Sequence, residues 1–161
     1  MPSTTTFRFA TPQDIPAIHG FICGLAAYEH LEDEVVATPA LLTEWLFEKQ
    51  KAEALLAEIE GQTVGFALFF YSFSTFLGRA CIHLEDLFVL PQYRGLGCGK
   101  ALLRELASIT LQRGCGRLEW SCLDWNAPSI AFYRGVGAVP LEDWTNYRLS
   151  GDALRAFAEE G

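Results

Sequence analysis

Apolar and polar residues alternate along the chain with two different periods, and each period predicts an element. The stretch TTTFRFA near the N-terminus predicts a first strand. The stretch TPQD after it supplies a cap and an early proline for a helix that runs to about Tyr28. A second helix is predicted in ATPALLTEWLFEKQ, where apolar residues recur at helical spacing. The runs AEALLAEIEG and QTVGFALFFYSF predict two strands that meet at Gly61-Gln62 as a hairpin.

The second half of the chain alternates between strand and helix patterns. ACIHLEDLFVL, residues 80–90, predicts a strand, and helical periodicity follows from about Gly97 to Arg113. GRLEWSCL predicts a strand, NAPSIAFYRGVGA a short helix, and residues 138–149 a final strand. The order β-α-α-β-β-β-α-β-α-β predicts an α/β fold with a mixed central sheet flanked by helices. Its strands are expected to be antiparallel at first and parallel around the helix near residue 97.

Composition and charge narrow the class of protein. A chain of 161 residues, half of them apolar, predicts one globular domain over residues 1–161. The formal charge of −8 disfavours nucleic-acid binding and makes a cationic partner electrostatically easier. No leader-like segment is seen, and the longest apolar run is shorter than the ~20 residues that cross a bilayer, so we expect a cytoplasmic protein without membrane contact.

The cysteines predict neither disulfides nor a metal site. Their number is odd and no CxxC pair occurs, so we expect no metal and small buried thiols, except for Cys98 in a glycine-rich loop: Cys23, Cys81, Cys98, Cys115 and Cys122.

That loop, RGLGCGK at residues 94–100, admits several interpretations. A P-loop is excluded because Arg94 and Ala101 stand where Gly and Ser or Thr are required. A dinucleotide fingerprint is disfavoured because Lys100 takes the third glycine position, although Glu119 lies about twenty residues further on. The third interpretation, R-x-x-G-x-G, turns backbone N–H groups toward a pyrophosphate at a helix N-terminus. A plain strand-to-helix turn is the structural alternative, but such a turn seldom needs three glycines.

Two longer stretches resemble a known family. LEDLFVLPQYRGLGCGKALL, followed by LDWNAPSIAFYRGVGA, resembles the acetyl-CoA-binding motifs of the GNAT (Gcn5-related N-acetyltransferase) superfamily, and within it the spermidine/spermine and thialysine N-acetyltransferase group. LAAYEHLEDEV and YSFSTFLGR extend the resemblance over nearly the whole chain. It implies a GNAT fold and transfer of acetyl from acetyl-CoA to a primary amine of a small cationic substrate, either a diamine or polyamine or a thialysine-like amino acid. It also implies a homodimer.

The resemblance also implies positions for the coenzyme. Acetyl-CoA would bind across the end of the strand holding Leu87, Phe88 and Val89, whose backbone would pair with the pantetheine arm beside a slot between splayed strands. The pyrophosphate would be held by the loop residues Arg94, Gly95, Leu96, Gly97, Cys98, Gly99 and Lys100. Asn126, a predicted N-cap, would bond the pantetheine, and Tyr133 on the same helix would act as general acid for the departing thiolate.

The residues that bind and deprotonate the amine are predicted partly from the strand pattern and partly from the resemblance. Strand alternation places Cys81, His83, Glu85 and Leu87 on one face and Ile82, Leu84, Asp86 and Phe88 on the other. A carboxylate in an apolar strand needs a partner or a use, so Glu85 is the candidate base, acting on the ammonium through water. His83, where the family more often has tyrosine, is a packed residue or a second base.

The residues around the amine pocket bear on which amine is acetylated. By resemblance, Tyr28 and Glu29 border this pocket together with Glu85 and Asp86. Ser74 and Phe76 are closer to the thialysine-type pattern than to the polyamine-selective one. Three alternatives stay open: acetylation of protein lysines, a non-catalytic acyl-CoA-binding regulator, and, against the glycine pattern, a nucleotide-binding oxidoreductase.

Overall fold

The computed structural model describes residues 4–160 and divides the chain into two compact units, Met1–Ser121 and Cys122–Gly161. One domain over residues 1–161 stays a prediction. The first unit contains strands β1 to β5 and helices α1 to α3. In chain order these are β1 (Thr5–Phe9), α1 (Ile15–Tyr28), α2 (Pro39–Thr43), β2 (Glu53–Ile59), β3 (Gln62–Ser74), β4 (Arg79–Val89), α3 (Cys98–Gln112) and β5 (Leu118–Trp120).

The second unit carries α4 (Ala127–Gly135) and α5 (Gly151–Glu159). The predicted short helix is confirmed in α4, whereas the predicted final strand at residues 138–149 is wrong, because this segment has no regular structure. Its apolar side chains, among them Val139 and Tyr147, are exposed and no ladder holds its backbone. Within residues 4–160 no helix combines the length and apolar character needed to cross a membrane.

The first unit is organised around one mixed sheet, as the element order predicted. The strands follow the order β1-β2-β3-β4-β5, antiparallel except for the parallel pair β4 and β5. The β2–β3 hairpin turns at Glu60 and Gly61, next to the predicted position. The motif TPQD, predicted to cap α1, instead forms a short 3-10 turn, Pro12–Asp14, with Thr11 as its N-cap, and α1 follows directly with Pro16 in its first turn. Helix α2 begins as predicted, with the Thr38 side chain accepting a hydrogen bond from the Leu41 N–H.

Helix α1 closes one face of the sheet. Its apolar residues Ile15, Ile18 and Phe21 are buried against Phe66 of β3 and Phe88 of β4. The rings of Phe66 and Phe88 lie 5.4 and 5.9 Å from the ring of Phe21. Helix α3 covers the other face with a separate apolar stripe, Leu102, Leu103, Leu106 and Ile109. The C-terminal end of α1 is thereby fixed beside the C-terminal half of β4.

Strand β4 departs from the predicted alternation at one residue. Leu84 pairs with Phe69 of β3 and Asp86 pairs with the adjacent Leu68, so Glu85 is an extra residue in a β-bulge. Cross-strand partners share a face, and Leu68 packs on the α1 cluster. The bulge therefore moves Asp86 and Phe88 to the α1 face.

The predicted faces of β4 are consequently wrong beyond the bulge. Asp86 and Phe88 share the face of His83, whereas Leu87 lies on the opposite face with Leu84. A bulge adds one residue to one strand, and this reverses every later assignment made with a strict period of two.

Candidate active site

Three carboxylates come together where the β4 bulge meets the end of α1. Asp86 is half-buried on the α1 face, and Glu29 is the C-cap residue of α1. Burial, together with the nearby charges of Glu85 and Glu29, raises the pKa of Asp86 to about 6. Burial also raises the pKa of Glu29. The group concentrates negative charge at one spot and suits a cationic ligand.

Glu85 occupies a different environment from the one its sequence context predicted. At the bulge its side chain is 56% exposed, and its Oε2 lies 3.8 Å from Nε2 of His83. The His83 ring stacks against Phe70 with their centroids 5.0 Å apart. The buried carboxylate expected in this apolar strand is thus Asp86, and Glu85 is its solvent-facing neighbour.

The glycine loop has the backbone geometry of an anion cradle. Gly95 and Gly97 have φ values of 80° and 81°, a left-handed conformation that residues with a Cβ rarely adopt. Gly97 is the N-cap of α3, so the N–H groups of the first turn have no carbonyl partner within the helix. These donors and the positive end of the helix dipole are suited to holding a phosphate.

Alanine substitutions at Gly97 and Gly99 test whether the left-handed backbone conformation at Gly97 requires glycine. Gly97→Ala is expected to lower the free energy of unfolding by about 1 kcal/mol, because alanine is strained at positive φ. Gly99→Ala is the matched control: Gly99 is helical, and an added Cβ would lie at an ordinary 3.8 Å from Cγ2 of Val89. Chemical denaturation of both variants checks this. Equal losses in the two would contradict the assigned role of Gly97.

The other loop residues are disposed unequally. Leu96 and Lys100 are exposed, whereas the Cys98 side chain is buried, so Cys98 can offer a ligand only its backbone. The expectation that Cys98 is the unburied cysteine is wrong; Cys23 is the exposed one, Cys81 and Cys115 are buried, and Cys122 is half-buried. Burial raises the pKa of the Cys98 thiol, with a hydrogen bond to Thr5 acting the other way.

The last residues of β4 pair with β3 on one side, and on the other side their backbone groups lie beyond the ladder with β5. Leu87, Phe88 and Val89 pair with β3, whereas the ladder between β4 and β5 ends at Leu84 and Trp120. Within the described sheet, the last five residues of β4 thus extend beyond their parallel neighbour. The slot between splayed strands that the sequence resemblance implied would lie here and stays a prediction.

The remaining predicted residues lie in the second unit. Asn126 is the N-cap of α4, as predicted, and its Oδ1 accepts a hydrogen bond from the Ser129 N–H at 3.4 Å. Tyr133 is half-buried in the same helix, with its ring centroid 5.4 Å from that of Phe132. The helix predicted to begin at Asn126 and to carry Tyr133 is thus confirmed, and the roles of both residues stay predictions.

Comparison with known proteins decides the family. The model of the acetyltransferase (GNAT) family matches residues 17–138. The chain belongs to the GNAT acetyltransferase family. The match includes the β4 bulge, the glycine loop and α4, and the enzyme is an N-acetyltransferase. GNAT acetyltransferases use acetyl-CoA as co-substrate, so a nucleotide-binding oxidoreductase is excluded.

Individual relatives agree with this assignment. A thialysine Nε-acetyltransferase of Caenorhabditis elegans is 35% identical over 153 residues, covering 93% of this chain and 94% of that protein. An L-ornithine N5-acetyltransferase of Arabidopsis thaliana is 31% identical and covers 93% and 86%. Among solved structures, an integron cassette protein of Vibrio cholerae superposes with a TM-score of 0.82 at 24% identity and covers 99% of both chains. The predicted group of small-amine GNAT enzymes is confirmed.

Sequence reasoning missed two features of this site. The burial of Asp86 depends on a bulge that no periodicity reveals, although consecutive carboxylates in an apolar strand hinted that one of them turns inward. The contacts of Arg94 were also missed: its Nε donates a hydrogen bond to the Val89 carbonyl at 2.9 Å, and its guanidinium lies against aromatic rings. Neither feature changes the family.

Proposed function

We propose that this acetyltransferase acts on the primary amine of a small cation, either a thialysine- or ornithine-like amino acid or a short diamine. The observation that carries the proposal is the half-buried Asp86, whose pKa is about 6, beside the carboxylates of Glu85 and Glu29. The names of the relatives support the same substrate class. Ser74 and Phe76 favour the amino-acid substrates over polyamines.

The carboxylates have two tasks in this proposal. An alkyl ammonium has a pKa near 10.4, so almost every substrate molecule arrives positively charged. The charges of Glu29, Glu85 and Asp86 attract it and hold it at the bulge. Because the pKa of Asp86 is raised, its carboxylate is both ionised at neutral pH and a better proton acceptor than an ordinary aspartate.

The reaction then requires proton transfers at the amine and at the departing thiolate. Asp86 accepts a proton from the ammonium, directly or through water, and Glu85 supports this step as the second carboxylate of the bulge. The free amine attacks the thioester carbonyl, the C–N bond forms, and the C–S bond breaks. Tyr133 donates its hydroxyl proton to the departing thiolate, and the excess proton that the attacking nitrogen still carries then passes to the Tyr133 phenolate. Asp86 releases its proton to solvent, so the products are the neutral acetamide and CoA with its thiol protonated. This assignment of Tyr133 follows the family resemblance.

Coenzyme binding uses backbone groups more than side chains. The pyrophosphate is proposed to bind the N–H groups of residues 95–100, with Lys100 adding charge. The pantetheine arm is proposed to pair with the backbone of Leu87, Phe88 and Val89 and to bond Asn126. The thioester is proposed to bind in the slot between β4 and β5, next to the bulge where the amine is deprotonated.

Thiol release from acetyl-CoA with a panel of amines tests the proposed function. The panel contains thialysine, ornithine, lysine, putrescine, spermidine, a small monoamine without a second charged group, and a lysine peptide. We expect the highest kcat/KM with thialysine or ornithine and at least about tenfold less with the peptide. A peptide that outcompetes every small amine indicates protein acetylation. Binding of acetyl-CoA without release for any amine indicates a regulatory module.

We also propose a homodimer, as the family resemblance implies. Light scattering coupled to size exclusion tests it, since one chain has a mass of 17.9 kDa. A single species of that mass at working concentration contradicts the proposal.

A further inference from the structure

Arg94 belongs to the coenzyme loop, but its side chain contacts residues outside that loop. Its Nε donates a hydrogen bond to the Val89 carbonyl at 2.9 Å, at the end of β4. Its guanidinium carbon lies 5.1 Å from the centre of the Phe88 ring and 5.4 Å from that of the Tyr28 ring. One side chain therefore contacts the ends of both β4 and α1.

These contacts depend on the shape of arginine and not only on its charge. The guanidinium is planar, packs against aromatic rings, and carries a donor at Nε, whereas lysine offers a point charge at the end of a flexible chain. The hydrogen bond to Val89 fixes where the guanidinium lies. Lysine at position 94 would keep the charge near a phosphate and lose both the fixed plane and the Nε donor.

The Phe88 ring makes this contact rigid. A Cβ added at Gly24 of α1 would lie only 2.7 Å from Cζ of Phe88, so the helix lies directly against the ring. Phe88 is buried, and its ring also packs on Phe21. Arg94 thus packs on a buried ring that α1 holds in place, and Tyr28 lies against the guanidinium.

Tyr28 connects this arrangement to the amine site. It is the last residue of α1, and Glu29, whose charge helps to raise the pKa of Asp86, follows it directly. We propose that Arg94 is a positioning residue for the amine pocket: it holds Tyr28, and with it the end of α1, in register with the coenzyme loop. The inference rests on the proposed function in that Tyr28 and Glu29 border the amine.

The variant Arg94→Lys tests this role through separate constants for the two substrates. We expect the KM for the amine to rise about fivefold, while kcat and the Kd for acetyl-CoA stay within about twofold. Lys100→Ala is the matched loop control and should do the reverse, weakening acetyl-CoA without changing the KM for the amine. A loss of acetyl-CoA affinity in Arg94→Lys with an unchanged amine KM would overturn the proposal.

A double-mutant cycle tests whether Arg94 acts through Tyr28. Tyr28→Leu removes the ring, so adding Arg94→Lys to it should raise the amine KM no further, whereas Tyr28→Phe keeps the ring and should keep the sensitivity to Arg94→Lys. Independent, additive effects of Arg94→Lys and Tyr28→Leu would overturn the proposal.

A measurement without turnover separates this inference from the proposed function. In protein labelled with 3-fluorotyrosine, the ¹⁹F signal of Tyr28, assigned with Tyr28→Phe, should shift when CoA is added to the wild type and should not shift in Arg94→Lys. If CoA shifts the Tyr28 signal as expected but the enzyme acetylates no small amine, the proposed function is rejected and the positioning role of Arg94 stands. A Tyr28 signal that CoA leaves unmoved in an active wild-type enzyme overturns the positioning role alone.

Discussion

Asp86→Asn is expected to make the protein more stable at pH 8 and nearly inactive. The pKa of Asp86 rises from an ordinary 3.8 to about 6, so the folded state resists ionising this carboxyl. One pKa unit corresponds to about 1.4 kcal/mol, and partial exposure reduces the sum, so we expect a gain of about 2 kcal/mol in the free energy of unfolding. Denaturation monitored by tryptophan fluorescence measures this gain.

The gain has a definite pH dependence. Below about pH 4 the carboxyl is protonated in the folded and unfolded chains alike, and the asparagine variant gains little. As the pH rises from about 4 to 6, the unfolded chain ionises more readily, so the wild-type protein loses stability relative to the variant. Above about pH 6 the difference is fully present. Glu85→Gln, at an exposed side chain, is the control; it removes one charge that raises the pKa of Asp86, so it should give only a small part of this gain above pH 6 and none below pH 4.

The same substitution removes the proposed proton acceptor. An asparagine cannot take a proton from the ammonium, so kcat/KM for the amine should fall by about 100-fold or more. The Kd for acetyl-CoA should stay close to that of the wild type, because the loop is untouched. An Asp86→Asn variant that is no more stable, or that retains full activity, contradicts this account of Asp86.

Tyr133→Phe is expected to lower kcat by about 100-fold, because the departing thiolate loses its proton donor. The ring is retained, so the packing of α4 and the Kd for acetyl-CoA should change little. Steady-state kinetics with thialysine, together with calorimetric titration of acetyl-CoA, measures both quantities.

Tyr147→Phe is the matched control for that loss. Tyr147 lies in the same unit and is 95% exposed, so removing its hydroxyl should leave kcat unchanged. If Tyr133→Phe turns over as fast as Tyr147→Phe, another group protonates the thiolate and the role transferred by resemblance is wrong.

Most of the sheet could be predicted from the sequence because its strands bury apolar residues on a helix-covered face. Phe66 and Phe88 lie in runs whose periodicity is visible without a structure, and α3 has a clear apolar stripe. The segment 138–149 has a similar pattern but no paired neighbour in the described chain, and a strand requires a partner for its backbone groups. Apolar alternation therefore predicted a strand that does not form. Helix α5 after it was not anticipated.

The sequence predicted which residues belong to the candidate site but not how they are arranged. Glu85 and Asp86 were both selected from the sequence, yet their roles depended on a strict alternation that the bulge interrupts. A single extra residue changes which carboxylate is buried, and no local propensity encodes it. Arg94 was selected for its charge, whereas its contact with Tyr28 depends on a residue that is far away along the chain.

The central claim is that the amine is bound and deprotonated at the carboxylates of the β4 bulge, with Asp86 as the proton acceptor. The pH profile of kcat/KM for thialysine, measured for the wild type, Asp86→Asn and Glu85→Gln, tests it most directly, since this constant reports ionisations of the free enzyme. We expect an acid limb with an apparent pKa of about 6 in the wild type, the same limb shifted to lower pH in Glu85→Gln because the charge of Glu85 raises the pKa of Asp86, and no such limb in Asp86→Asn. An acid limb that persists in Asp86→Asn and disappears in Glu85→Gln would contradict the account.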